Sequence, residues 1–240
     1  MMISKRFENI AISIIAVALI QGCAGTTVYK MASAPSTSSQ NQLSSSKFYK
    51  PADLRYSVTV SGIEMHLKLW NERSTRSYNT SFIVPIETGV YGMVYVGKKP
   101  FIIDLALRAD EAGAAYGPLS TELFLASKTK PVQPSKVIVS EKPGLLSRPY
   151  FRVPCVYYKM PPDSTILSAG TVVLPSKYDE GENDKGIKDR WLCVQLHFDV
   201  PTPDPSEQFQ LKLGSITTPE GKHIRPIINF SPVMFKTFAQ

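Results

Sequence analysis

The sequence predicts an all-β fold, an antiparallel β-sandwich with few short helices. The 240-residue chain contains 19 prolines, 11 tyrosines and 11 phenylalanines, a composition that favours strands joined by loops over helices. Two consecutive segments alternate apolar and polar residues, which is typical of half-buried strands. No segment has a sustained period of 3.6 residues, the pattern of an amphipathic helix.

Residues 54–70 give the clearest strand prediction. The apolar positions of the first half are Leu54, Tyr56, Val58 and Val60. After Gly62 the apolar positions are Ile63, Met65, Leu67 and Leu69, and the polar face carries Glu64, His66, Lys68 and Trp70. Because glycine favours a tight turn between such runs, the two segments are predicted to form a β-hairpin.

Further strands are predicted where short β-prone runs alternate with turn signals such as Lys130-Pro131 and Pro201–Pro205. These runs are Thr80–Ile86, Gly92–Val96, Pro100–Leu107, Glu122–Ala126, Lys136–Ser140, Phe151–Tyr158, Gly170–Leu174, Trp191–Val200, Gln208–Leu213 and Ile224–Phe230. A short helix is predicted within Ala109–Ser120.

The N-terminus has the pattern of an export signal. Lys5 and Arg6 precede an apolar run, Ile10–Ile20, of about 11 residues, whereas a membrane-spanning helix needs roughly 20. The next residues, Ile20-Gln21-Gly22-Cys23, resemble the lipobox of bacterial lipoproteins. That resemblance implies a signal peptide over residues 1–22 and a mature chain that begins at lipidated Cys23.

The same resemblance implies a location. Two or more acyl chains on Cys23 give stable attachment to a membrane, where one chain is marginal. An aspartate after the cysteine would favour the inner membrane in the enterobacterial sorting rule, and this chain has Ala24 there. We therefore expect a protein anchored in the outer membrane, on its periplasmic face. Residues 23–47, rich in serine and threonine, are predicted to be a lipidated flexible tether, and residues 48–240 the β-sandwich domain.

The segment Trp191–Phe230 resembles the closing strands of immunoglobulin-like envelope domains. Phe198-Asp199-Val200-Pro201 leads through a proline-rich loop to Phe209–Leu213, and a turn at Gly221 precedes the last strand. The resemblance implies an immunoglobulin-like β-sandwich and nothing about activity. In that family a tryptophan lies well inside the disulfide interval, whereas Trp191 stands two residues before Cys193.

Cys155 and Cys193 are the two cysteines besides Cys23, and an exported compartment permits a disulfide between them. Such a bond would close a loop of about 38 residues, worth roughly 4 kcal/mol in the chain-entropy model. Two buried free thiols are the alternative.

The sequence shows no pattern of a catalytic or metal site. Of the three histidines, His66, His197 and His223, only His197 lies near a cysteine, and on one strand it would stand about 13 Å from Cys193, too far to share an ion. Gly-x-Ser-x-Gly and His-Glu-x-x-His motifs are absent. The acidic loop Asp179–Gly186 fits a solvated hairpin tip better than a calcium site. We therefore predict no catalytic residue, no metal and no cofactor.

The chain is mildly basic. Removing residues 1–22 takes away two basic residues and one acidic residue, so the net charge falls from +7 to +6. Without a basic stripe, nucleic acid is not expected as a partner. We expect a non-catalytic accessory or binding component of the cell envelope that attaches to the membrane and engages an envelope protein partner. The alternatives are a periplasmic hydrolase of cell-wall or glycan material and a structural subunit of a secretion or pilus assembly.

Overall fold

The computed structural model describes residues 26–36, 48–49, 57–79, 86–87, 95–140, 155, 164–177 and 190–239. Within these ranges the chain forms seventeen strands and a 3-10 helix at Pro118–Ser120, and it contains no helix long and apolar enough to cross a membrane. The strands are β1 (Thr26–Ser36), β2 (Phe48–Tyr49), β3 (Ser57–Val60), β4 (Ile63–Leu69), β5 (Arg73–Asn79), β6 (Ile86–Glu87), β7 (Phe101–Ala109), β8 (Ala115–Tyr116), β9 (Glu122–Leu125), β10 (Lys136–Ser140), β11 (Thr165–Ile166), β12 (Val172–Val173), β13 (Leu192–Phe198), β14 (Phe209–Lys212), β15 (Ile216–Thr217), β16 (His223–Ile224) and β17 (Ile227–Ala239).

Two large sheets enclose the core. In the described part of the chain, sheet A has the order β6-β5-β1-β17-β14-β9, and β2 pairs in parallel with Met234 and Phe235 of β17. Sheet B has the order β11-β10-β13-β7-β4-β3, and a smaller sheet C has the order β12-β8-β15-β16. Among the described strands, β2 pairs in parallel and the other strand pairs are antiparallel, and an isolated parallel bridge joins Ala109 to Ser176. The predicted all-β sandwich is therefore confirmed.

Aromatic side chains join the inner faces of the two sheets. Phe101 of sheet B contacts Phe209 of sheet A edge to face, with ring centroids 5.8 Å apart. Phe209 stacks on Phe230 at 4.7 Å, and Phe101 also contacts Phe198 at 6.4 Å. All four rings are buried, and complete burial of one such side chain stabilises the fold by roughly 1.5–3 kcal/mol.

The predicted hairpin is present as β3 and β4, although residues 54–56 of its first predicted strand lie outside the described residues. Val60 pairs with Ile63 across a two-residue turn in which Ser61 and Gly62 have φ angles of 48° and 74°. Positive φ at both turn residues is the geometry that matches the twist of the flanking strands. The predicted apolar face is buried at Val58 and at the alternate positions of β4.

The prediction of a flexible tether over residues 23–47 is wrong for Thr26–Ser36. These residues form β1, which lies inside sheet A between β5 and β17 and pairs with β17 over its whole length. The polar composition suggested too little apolar surface for order. The ladder with β17 covers the whole of β1, however, the ladder with β5 covers Thr26–Met31, and the small side chains Ala32, Ser33 and Ala34 are buried. The sandwich therefore begins at or before Thr26, not at residue 48.

Two secondary-structure predictions are also corrected. The predicted helix in Ala109–Ser120 is replaced by strand β8 and the 3-10 helix, because Ala115-Tyr116 pairs with both β12 and β15. Tyr95 and Val96, predicted to end a strand, instead begin a turn in which Lys98 N–H donates to Tyr95 O at 2.9 Å.

Several predictions lie outside the described residues. These concern Cys23 and its signal peptide, the acidic loop Asp179–Gly186, most of the strand Thr80–Ile86, and the strand Phe151–Tyr158 apart from Cys155.

Candidate functional site

The candidate site lies where the chain crosses from sheet B to sheet A. Trp70, Asn71 and Glu72 connect β4 to β5 at this corner. The buried Asn71 Nδ2 donates to Ser33 Oγ of β1 at 2.8 Å, which fixes the connection to sheet A. Arg73, the first residue of β5, forms an ion pair with Asp204 at 2.6 Å. Asp204 lies in the connection from β13 to β14, so this pair ties together two crossings between the sheets.

A cleft of about 170 Å³ opens at this corner, and we call it the Trp70 cleft. Three cationic side chains and one carboxylate contribute to its walls, together with two aromatic rings. The described lining residues are Lys30, Lys68, Leu69, Trp70, Glu72, Arg73, Ser74 and Tyr95. The cleft therefore has a positive balance of charge next to aromatic surface.

Trp70 is held by a carboxylate on the outer face of sheet B. Its indole Nε1–H donates to Asp104 Oδ2 at 2.8 Å, and Gln195 Nε2 donates to Asp104 Oδ1, also at 2.8 Å. Gln195 Oε1 lies 2.7 Å from His197 Nε2, so His197 is the donor in that contact. Asp104 is 2% exposed, and a buried carboxylate needs such donors. The chain from His197 to Asp104 thus fixes the orientation of the Trp70 ring.

We expect Asp104→Asn to lower the free energy of unfolding by about 1–3 kcal/mol. An asparagine has one acceptor oxygen, so its amide group would face the N–H of either Trp70 or Gln195. Urea unfolding followed by near-UV circular dichroism measures both the stability and the packing of the tryptophans.

The matched control is Asp199→Asn, since Asp199 is 75% exposed and pairs with Lys99 at 3.3 Å on the surface. This control should change stability by less than about 0.5 kcal/mol. Equal stabilities of the two variants would contradict the role assigned to Asp104.

Sheet A contributes Lys30 beside an irregularity in its hydrogen-bond ladder. Lys30 pairs with Ser74, whereas the preceding Tyr29 pairs with Arg76, which leaves Thr75 as an extra residue. Thr75 Oγ1 donates to Tyr29 O at 3.2 Å. β-Bulges of this kind redirect side chains and are frequent next to functional sites.

A second polar cluster lies on the same outer face of sheet B. Glu64 accepts from Arg108 Nη2 at 2.7 Å and contacts His66 Nε2 at 3.2 Å. The Arg108 guanidinium lies 4.2 Å from the centre of the Trp191 ring, and His66 meets the same ring edge to face at 4.8 Å.

A disulfide joins Cys155 to Cys193, with Cα atoms 5.2 Å apart. The disulfide, Trp191 and Ala106 form a small core of their own.

The three histidines make separate contacts. Burial lowers the pKa of His66, and the hydrogen bond to Glu64 opposes this effect. Burial and then the charge of Lys136 lower the pKa of His197. His223 contacts Thr217 Oγ1 at 3.1 Å in the β15–β16 hairpin. Within the described ranges, no group of three or more histidines, cysteines and carboxylates is placed to hold a metal ion.

No sequence motif identifies the residues of the Trp70 cleft. Two signals pointed towards it. Trp70 occupies a polar-face position of the alternating pattern, and Asp104 interrupts the otherwise apolar run Phe101–Leu107. Comparison of the chain with protein-family models, with curated proteins and with solved structures gives no match.

Proposed function

We propose that this protein is a lipid-anchored component of the bacterial outer membrane that lies on its periplasmic face and acts by binding, without catalysis. The observation that carries the proposal is Ile20-Gln21-Gly22-Cys23 directly after a basic start and a short apolar run. A lipid on Cys23 would attach the β-sandwich to the membrane.

The position of β1 supports close attachment. Only Ala24 and Gly25 stand between Cys23 and Thr26, the first residue of β1. Three residue steps span at most about 11 Å. A lipidated Cys23 would therefore hold the Thr26 end of β1 within about 11 Å of the bilayer, whereas a flexible tether up to residue 47 would have allowed several nanometres.

The Trp70 cleft supports binding as the activity. Its aromatic and charged side chains are held in place before any ligand arrives, by Asp104 on one side and Asp204 on the other. Preorganised side chains reduce the entropy lost on association, which favours a recognition role.

Metabolic labelling with radioactive palmitate tests the anchor. We expect the wild-type chain to incorporate the label and to sediment with outer membranes, and Cys23→Ser to lose both properties, because Cys23 is the proposed acylated thiol. The control is the double variant Cys155→Ala/Cys193→Ala, which should keep the label. An unlabelled wild-type chain, or a labelled Cys23→Ser chain, would contradict the proposal.

Crosslinking in intact envelopes separates the proposal from its nearest rival. A stable protein partner that is recovered in the same molar amount as this protein would favour a structural subunit of an assembly. Transient or substoichiometric crosslinks would support an accessory binding component.

A further inference from the structure

We propose that the Trp70 cleft binds a saccharide unit that carries a carboxylate or a phosphate. This ligand assignment rests on the proposed binding function and makes that function more specific. The charges, the aromatic walls and the size of the cleft support it.

Two cationic groups in the cleft are suited to an anionic ligand. Lys30 has no ion-pair partner among the described residues, while Lys68 pairs with Glu72. Arg73 bonds Asp204 through Nη1, one part of a guanidinium that has a planar set of five N–H donors. Such a set of donors suits carboxylates and phosphates. Lys30 and Arg73 both line the cleft, so an anion bound there would be attracted to both side chains.

Asp204 balances the charge of Arg73 and also fixes the position of its guanidinium. Its Oδ1 already accepts from the backbone N–H and the hydroxyl of Ser206, at 2.8 and 2.6 Å. Asp204 is therefore fixed in place and holds the guanidinium through its other oxygen. The arrangement positions Arg73 at the cleft and leaves Lys30 as the excess positive charge.

Two aromatic rings form the apolar part of the cleft. The Tyr95 ring meets the Trp70 ring edge to face, with centroids 5.6 Å apart, and Lys68 Nζ lies 5.9 Å from the Trp70 centroid. Aromatic surface next to hydrogen-bonding and charged groups suits a sugar, whose ring presents C–H groups on its faces and hydroxyls at its rim. The hydrogen bond to Asp104 keeps Trp70 in one orientation, as a binding wall requires.

The size of the cleft limits the ligand. Sites for drug-sized molecules enclose roughly 300–1,000 Å³, whereas this cleft encloses about 170 Å³. It has room for one ring-sized unit. The ligand is therefore expected to be a single acidic sugar, either free or exposed on a larger glycan.

Titration of the full-length protein, purified in a non-ionic detergent without a sugar head group, tests the assignment. The probes are D-glucuronic acid, D-glucose 6-phosphate, neutral D-glucose and inorganic phosphate, with binding followed by calorimetry and tryptophan fluorescence. We expect at least one of the two acidic sugars to bind. Neutral glucose and inorganic phosphate should bind at least about tenfold more weakly, because each lacks one of the two recognised features.

Variants locate the site. Lys30→Gln and Arg73→Gln should each weaken binding of the acidic sugar about tenfold or more, since each removes a charge-assisted contact. Lys30→Gln leaves the Arg73–Asp204 pair intact, so it remains informative if Arg73→Gln fails to fold. The matched control is Lys212→Gln, which removes the same charge at Glu122, away from the cleft, and should bind like the wild type.

Four results would overturn the assignment. The first is that neither acidic sugar binds. The second and third are that inorganic phosphate, or neutral glucose, binds as tightly as the acidic sugar. The fourth is that Lys30→Gln binds the acidic sugar as tightly as the wild type does. Binding to phosphatidylglycerol vesicles that depends on Lys30 and exceeds binding to the sugars would reassign the cleft to a lipid head group. None of these results changes palmitate labelling at Cys23, so failure of the ligand assignment is distinguishable from failure of the proposed anchor.

Discussion

Gly214→Ala is expected to destabilise the fold by at least about 3 kcal/mol, at the upper end of the cost of overpacking. A Cβ atom at residue 214 would lie 1.8 Å from the backbone oxygen of Gly117 and 2.9 Å from Ser120 Oγ. Backbone atoms cannot rotate away as a side chain can. The surroundings are also tied, because Gly117 N–H donates to Ser215 O at 2.8 Å and Gly214 N–H donates to Thr121 Oγ1 at 3.0 Å.

Urea unfolding measures this effect, and Gly117→Ala is its matched control. A Cβ at Gly117 would meet its nearest atoms at 3.5 Å, which is ordinary van der Waals contact. The φ angle of Gly117 is −104°, which any residue adopts. We expect Gly117→Ala to fold with nearly wild-type stability and Gly214→Ala to be recovered mainly as insoluble protein. A Gly214→Ala chain whose stability lies within about 1 kcal/mol of the wild type would contradict the close approach of these two segments.

Loss of the Cys155–Cys193 disulfide is expected to cost about 4 kcal/mol, which corresponds to a fall in Tm of roughly 10 °C for a domain of this size. The bond joins residues 38 apart in sequence, so it restricts a long loop in the unfolded chain. Both cysteines are also buried against Trp191, so the variant Cys155→Ala/Cys193→Ala loses packing as well.

Reduction provides the control for the disulfide variant. Dithiothreitol should lower the Tm of the wild type towards that of the double variant, and it should leave the Tm of the double variant unchanged. The expectation would be contradicted if the oxidised wild type and the double variant unfolded at the same urea concentration.

The β3–β4 hairpin was predictable because its signals are local. Alternation in β4 places Met65 and Leu67 in the core, and Gly62 supplies a positive φ angle for the turn. Strand β7 was predictable for a related reason, since Phe101–Leu107 is apolar on one face throughout. Patterns of this kind identify strands without any knowledge of their partners.

β1 and β5 were missed because their order comes from neighbours distant in sequence. β1 contains mainly small and polar side chains, and β5 (Arg73–Asn79) contains no aliphatic residue. Each is stabilised by backbone pairing within sheet A, and register between distant segments leaves little trace in the composition of either strand.

The candidate site was largely beyond sequence analysis for the same reason. Asp104 lies 34 residues from Trp70 and 91 from Gln195, and Arg73 lies 131 from Asp204. Single unusual residues were visible, such as a carboxylate in an apolar strand. Their meeting depends on the order of strands in sheet B and on two crossings between the sheets.

The position of β1 has a consequence for the order of folding. β1 is the first of the described strands in the chain, yet its longest pairing is with β17, about 200 residues later. Sheet A therefore cannot close until β17 is present, and the edge of β1 that later faces β17 stays unpaired until then. Contacts between such distant segments slow folding, so this half of the sandwich forms last, after the local β3–β4 hairpin.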